Sequence, residues 1–178
     1  RKLFKTITKA QPSLLQELES NVCYEEAVTL AGLCHDLGHG PFSHAFDLHL
    51  LPRIMFLYNS IRPSHLKWTH EDQSCNLLTF LVDENNIDLS SDEIRLIQDM
   101  ILGVDPKTPS KESYEFKWLF DIVSNKRNSI DVDKFDYLSR DSFHLGLKDT
   151  YFDYRNLIKT SRVIDDQICY PIKVNFFF

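Results

Sequence analysis

The chain contains no run of Lys or Arg, and its 20 basic residues are outnumbered by 26 acidic ones, for a formal charge of −6. A protein that holds nucleic acid by neutralising phosphates carries a basic excess or stripe, so a general nucleic-acid coat is excluded. Glycine is scarce, five in 178 residues, and neither G-x-x-x-x-G-K nor G-x-G-x-x-G occurs. Glycine-loop phosphate cradles are therefore excluded, and any phosphate must be held another way. The four cysteines (Cys23, Cys34, Cys75, Cys169) include no C-x-x-C pair. That pattern points to a reducing intracellular setting, nuclear or cytoplasmic, with each thiol a small buried apolar residue. No apolar run approaches the roughly twenty residues of a membrane span.

What is present is enough for a core: 43% of residues are apolar, which suits one domain over residues 1–178. The chain opens on Arg1 and closes on three Phe. Both ends are expected to be cuts in a longer protein. Ala27, Leu30, Ala31, Cys34 and Leu37 recur at helical spacing, predicting a helix over Cys23 to Leu37 ended by Gly38-His39-Gly40-Pro41. A second helix is expected from Thr69 as N-cap through Leu77, Leu78, Leu81 and Val82. Ser90 and Glu93 have capping-box spacing ahead of Ile94, Ile97 and Ile101, with Gly103 and Pro106 as the stop. Helical patterns return around Phe116 to Val123, Asp131 to Leu145 (broken by Gly146) and Asp153 to Ser161, and Arg162 to Lys173 predicts a hairpin around Asp165-Asp166. The fold class expected is all-α.

Six of the seven histidines lie between His35 and His70. Imidazole is the commonest metal ligand and titrates near neutrality, so the cluster points to a metal or proton-transfer site. His35-Asp36 closes a buried helix, a costly place for a carboxylate unless a cation compensates it. His39 follows four residues after His35, on the same side if the helix persists. Far along the chain, Asp133, Tyr137 and Asp141 are spaced four and four, so one helix face presents two carboxylates and a phenol, with Lys134 beside them and Phe135 and Leu138 on other faces, expected to pack inward. A solvated helix also carries charge, but a divalent ion at His35-Asp36 needs further ligands, and Asp133 is a candidate third.

These strings, His35-Asp36-Leu37-Gly38-His39-Gly40-Pro41-Phe42-Ser43-His44, Trp68-Thr69-His70-Glu71 and Ile130-Asp131-Val132-Asp133-Lys134-Phe135-Asp136-Tyr137 with Arg140-Asp141, resemble the HD-domain phosphohydrolases. Within them the likeness is to the deoxynucleoside triphosphate triphosphohydrolases that join SAM and HD domains. It extends to about Val163. The resemblance implies an HD-domain helical bundle that cleaves a deoxynucleoside triphosphate to deoxynucleoside and inorganic triphosphate, in a homo-oligomeric full-length parent. His35, Asp36 and Asp133 then match metal ligands, for Fe, Mn, Zn or Mg. His70, His39 and Asp47 match catalytic positions, His70 as the group that protonates the departing 5′ oxygen. His39, His44, Lys134, Tyr137 and Asp141 match substrate contacts, Lys134 to phosphate, Tyr137 and Asp141 to the sugar.

The family carries a further metal-binding His, followed by Ser, that would fall just before Arg1, so the ion is expected to have one ligand fewer here. It also has a basic residue used in nucleotide-driven assembly where this chain has Asn156. Two other readings stay open: an HD phosphodiesterase or nucleotidase acting on another ester, and a non-catalytic nucleotide-binding or oligomerisation module. From His35 to His70 there are two acids against three Lys/Arg, so the acidity belongs to the rest of the chain. A small polyanion is not repelled from that stretch.

Overall fold

The computed structural model describes residues 1–18, 23–61, 68–103, 116–147 and 154–171. Pro106, His65, Asp153 and Lys173, used in the sequence reading, lie outside them. The order is α1 (Lys2–Ala10), α2 (Ser13–Glu17), α3 (Tyr24–Cys34), a π-helical turn (Phe46–Leu50), α4 (Leu51–Ile61), α5 (His70–Asn85) and α6 (Ser91–Leu102). A 3₁₀ turn (Lys117–Leu119), α7 (Phe120–Val123), α8 (Val132–His144), α9 (Tyr154–Thr160), β1 (Arg162–Ile164) and β2 (Gln167–Cys169) follow. This is an HD-domain helical bundle with one small hairpin. No helix among the described residues is long and apolar enough to cross a membrane.

Local chemistry sets the helix ends. Thr69 caps α5 by accepting from the Asp72 amide at 3.1 Å, which starts the helix at His70. Ser90 and Glu93 close the reciprocal capping box of α6. Gly103 ends α6 at φ +73°, where a side chain would be strained. In the hairpin, Arg162 pairs with Cys169 and Ile164 with Gln167, and Asp165 and Asp166 both take positive φ, the turn that matches strand twist.

α3 runs through the middle, with Ala27, Val28, Ala31 and Cys34 buried against α5, α6 and α7. α6 contributes Leu96, Ile97, Met100 and Ile101, and Trp118, Leu119, Phe120 and Ile122 fill the far side. Phe4 of α1 stacks on Trp118 with ring centroids 5.8 Å apart. Because α3 is locked on several sides, the turn that follows Cys34 leaves from a rigid base.

Four expectations change. α3 ends at Cys34, and Leu37 is 46% exposed, because residues 35–38 form turns rather than another helical turn. Cys34 and Cys75 are buried, but Cys23 is exposed and Cys169 half-buried. Leu138 does not pack inward; on α8 the core residue is Phe135. Finally, α1, whose Leu3, Phe4 and Ile7 share one buried face, and α4 were not expected.

Candidate active site and metal centre

α3 delivers His35 and Asp36 at its C-terminal end. The Gly32 carbonyl lies 2.9 Å from His35 Nδ1, which makes that nitrogen the donor and leaves Nε2 with a lone pair. Nε2 is buried without a hydrogen-bond partner, yet Asp36 Oδ1 and Asp133 Oδ1 both stand 3.3 Å away. A lone pair facing two carboxylate oxygens is unfavourable unless a positive charge, a proton or a metal ion, lies between them. The three ligand atoms lie within 4.8 Å of one another, so His35, Asp36 and Asp133 form a group that can hold a metal ion.

The electrostatics agree. Burial pushes the His35 imidazole down, but Asp133, Asp36 and the Gly32 carbonyl together raise it above its ordinary value. The His35 ring in turn holds the Asp133 carboxyl below the carboxylate range, against its burial.

Asp133 comes from the first turn of α8, whose start is set by Asp131. The Asp131 side chain accepts from the Lys134 amide at 3.3 Å and from the Asn125 amide at 3.1 Å, and it is 7% exposed. A carboxylate at a helix N-terminus is favoured by the dipole and the free amides there. Lys134 Nζ stands 3.4 Å from Asp131 Oδ1.

Beyond Gly40 the chain doubles back. Phe42 and Ser43 take φ of +67° and +49°, a conformation costly for residues with a Cβ. The π-helical turn then brings Asp47 under His39, with Asp47 Oδ2 2.8 Å from His39 Nδ1. His39 Nε2 points the other way, 3.6 Å from Asp36 Oδ1. His70 stacks on His39 with ring centroids 3.9 Å apart, its Nδ1 3.4 Å from both Asp47 Oδ2 and Glu71 Oε2. Burial lowers the His70 pKa despite Glu71 and Asp47.

One cavity of about 640 Å³ collects these groups. Its lining includes His35, Asp36, His39, His44, His70 and Asp133 together with Lys134, Tyr137 and Asp141. Asp47 does not reach its wall; it stands behind His39 at 8% exposure. Lys126 and Arg140 also line the cavity, and neither was singled out as a site residue. Lys126 gave no signal because it sits on a loop outside the motifs; Arg140 lay within a motif without an assigned role, and it pairs with Asp136. Lys126, Lys134 and Arg140 share the lining with five carboxylates, Asp36, Glu71, Asp131, Asp133 and Asp141, so a polyanion is accommodated there only with a cation to offset them.

Ser74 and Gly38 were missed as well. Ser74 is fully buried where the His35–His39 turn meets α5, and a Cβ on Gly38 would collide with the His70 carbonyl oxygen and the Ser74 amide. Neither residue type carries a signature that sequence can read.

No protein-family model matches the chain. It is 43% identical over 158 residues to the deoxynucleoside triphosphate triphosphohydrolase SAMHD1 homolog of Dictyostelium discoideum, covering 88% of this chain and 28% of that protein. It is 40% identical over 179 residues to the Mus musculus deoxynucleoside triphosphate triphosphohydrolase SAMHD1, covering 92% and 25%. An HD domain-containing protein of Acanthamoeba polyphaga mimivirus is 39% identical over 150 residues, 82% of this chain. The chain spans about a quarter of the length of the curated relatives it matches.

Proposed function

This chain is an HD-domain homologue of the SAMHD1 triphosphohydrolases, matched over about nine-tenths of its own length, and from that kinship we propose that it hydrolyses deoxynucleoside triphosphates to deoxynucleoside and inorganic triphosphate. The observation that carries the reading is the convergence, on one cavity, of the His35–Asp36–Asp133 group, the His39–His70 stack backed by Asp47, and Lys134, Tyr137 and Asp141.

His35, Asp36 and Asp133 hold a divalent ion, whose chemistry is to neutralise phosphoryl oxygens and acidify a water. The other residues act directly. Lys134 faces the phosphate chain, and Arg140 and Lys126 line the same cavity. Tyr137 and Asp141, one helical turn apart on α8, take the sugar, where a phenol against the ring leaves no room for a 2′-hydroxyl. Water adds its oxygen to the α-phosphorus, the bond to the 5′ oxygen breaks, and the departing alkoxide takes a proton from His70. The proton lost by the water returns to the imidazole pair, with Asp47 fixing the tautomer of His39 through Nδ1. His44, exposed on the cavity lining, contacts substrate.

The test is to incubate the full-length protein with dGTP and a divalent metal and resolve the products by anion exchange. Deoxyguanosine with triphosphate is expected. Monophosphate with pyrophosphate would overturn the reaction assignment, and binding of dGTP with no turnover in the metal-loaded protein would favour a non-catalytic module.

A further inference from the structure

We propose that His39, His44, Asp47 and His70 form a second transition-metal site, separate from His35, Asp36 and Asp133, which takes Zn²⁺ or a similar borderline ion and holds the enzyme inactive when filled. The inactivation rests on the reading of His39 and His70 as the proton-transfer pair.

Each of the four residues offers one ligand atom, and these atoms lie within 4.8 Å of one another. Asp47 Oδ2 is the hub. The Nδ1 atoms of His39, His70 and His44 stand 2.8, 3.4 and 3.9 Å from it. Two ligands of a tetrahedral zinc ion, each about 2.1 Å from the metal, are roughly 3.4 Å apart. The three observed separations bracket that value.

A second observation points the same way. Asp47 is 8% exposed, and its other oxygen, Oδ1, is buried with no hydrogen-bond partner. A buried carboxylate with unused acceptor capacity is costly unless a cation compensates it. A divalent ion supplies two positive charges while every ring stays neutral.

The donor set selects the ion: three imidazole nitrogens and one carboxylate oxygen suit Zn²⁺ or Co²⁺, whereas Mg²⁺ and Ca²⁺ take oxygen. The His39 and His70 planes lie 14° apart, so one ring must turn about its soft χ2 torsion before both lone pairs aim at one point. His44 already stands across them, at 89° to His39 and 76° to His70, with its side chain 68% exposed. Once Nδ1 of each ring is engaged, Nε2 keeps its one proton and no lone pair is left to accept another, so neither ring can become the imidazolium that protonates the leaving oxygen.

The experiment uses the metal-free protein, equilibrium dialysis against Co²⁺ or Zn²⁺ and metal counting by atomic emission, with circular dichroism to verify folding. Two equivalents are expected. An Asp36→Ala/Asp133→Ala variant should keep one, and either Asp47→Asn or His44→Ala, in the otherwise unaltered chain, should weaken one equivalent by about tenfold or more. dGTP turnover should fall as the second equivalent fills. The inference is overturned if the folded double variant binds no ion, or if Asp47→Asn and His44→Ala both leave two equivalents with unchanged affinity. The His44→Ala result does not depend on the double variant folding. Absence of triphosphate release at one bound equivalent, before the second site fills, would instead count against the hydrolase reading.

Discussion

Ser74 Oγ donates to the His35 carbonyl at 2.6 Å and accepts from the Gly38 amide at 2.9 Å, so one buried hydroxyl ties α5 to the turn that carries His35, Asp36 and His39. Ser74→Ala leaves both backbone groups without that partner. The expected cost is about 1–3 kcal/mol in denaturant unfolding, with metal affinity at His35, Asp36 and Asp133 falling about tenfold as the turn loosens. Unchanged affinity in a destabilised variant would reduce Ser74 to a packing role.

Gly38 is the other half of that junction. A methyl group there meets the His70 carbonyl and the Ser74 amide, both backbone atoms that cannot swing aside. Gly38→Ala should therefore separate the turn from α5, costing about 1–3 kcal/mol or more as overpacking does. The His39–His70 stack should open in the same variant, visible as a change in the histidine ring resonances.

Asp131 sets where α8 begins and hence where Asp133 and Lys134 point. Asp131→Ala removes the cap and leaves the Asn125 amide buried without its carboxylate. A loss of about 1–2 kcal/mol is expected, together with weaker metal binding. Asp131→Asn, which still accepts hydrogen bonds, should recover part of both in the same two assays.

The capping box of α6 gives a pH dependence. Hydrogen bonds from the Ser90 amide and hydroxyl hold the Glu93 carboxyl below its ordinary 4.5. A carboxyl whose pKa falls on folding stabilises the protein above the unfolded value and loses that contribution as pH drops through the folded value. The melting temperature of the native chain minus that of Glu93→Gln should thus be largest above pH 4.5 and shrink on acidification below it. A difference that grows in acid would contradict the sign.

His35→Ala removes the one imidazole of the first metal group and, with its burial relieved, should fold while binding one equivalent of metal fewer. Metal counting on the purified variant checks this directly. A variant that keeps its full complement would show that the ion does not sit at His35.

Much of the secondary structure could be read from residue order. Thr69, Ser90 with Glu93, Gly103 and Asp165-Asp166 act on backbone groups within a few residues of themselves, so their effect is encoded locally. The pairing of His35-Asp36 with Asp133 was also within reach, because an ion at His35-Asp36 needs a further ligand and the Asp133–Tyr137–Asp141 face supplies one, although Asp36, expected at a buried helix end, is 49% exposed. α4 escaped notice because its face is largely exposed rather than buried on one stripe. Leu138 misled because apolar spacing says which residues share a face, not which face the neighbours cover.

The sequence by itself determined which groups could do chemistry: the histidine cluster, the acidic face of α8 and the helix boundaries that carry them. Tertiary structure alone decided how they meet. The Phe42–Ser43 reversal and the π-helical turn bring Asp47 under His39, and the Ser74–Gly38 junction seats the His35 turn on α5. Those contacts link residues whose types are common and whose spacing follows no helical or strand period. They arise only when packing of α3 against α5 and α6 excludes water and forces each buried donor, acceptor and charge to find a partner.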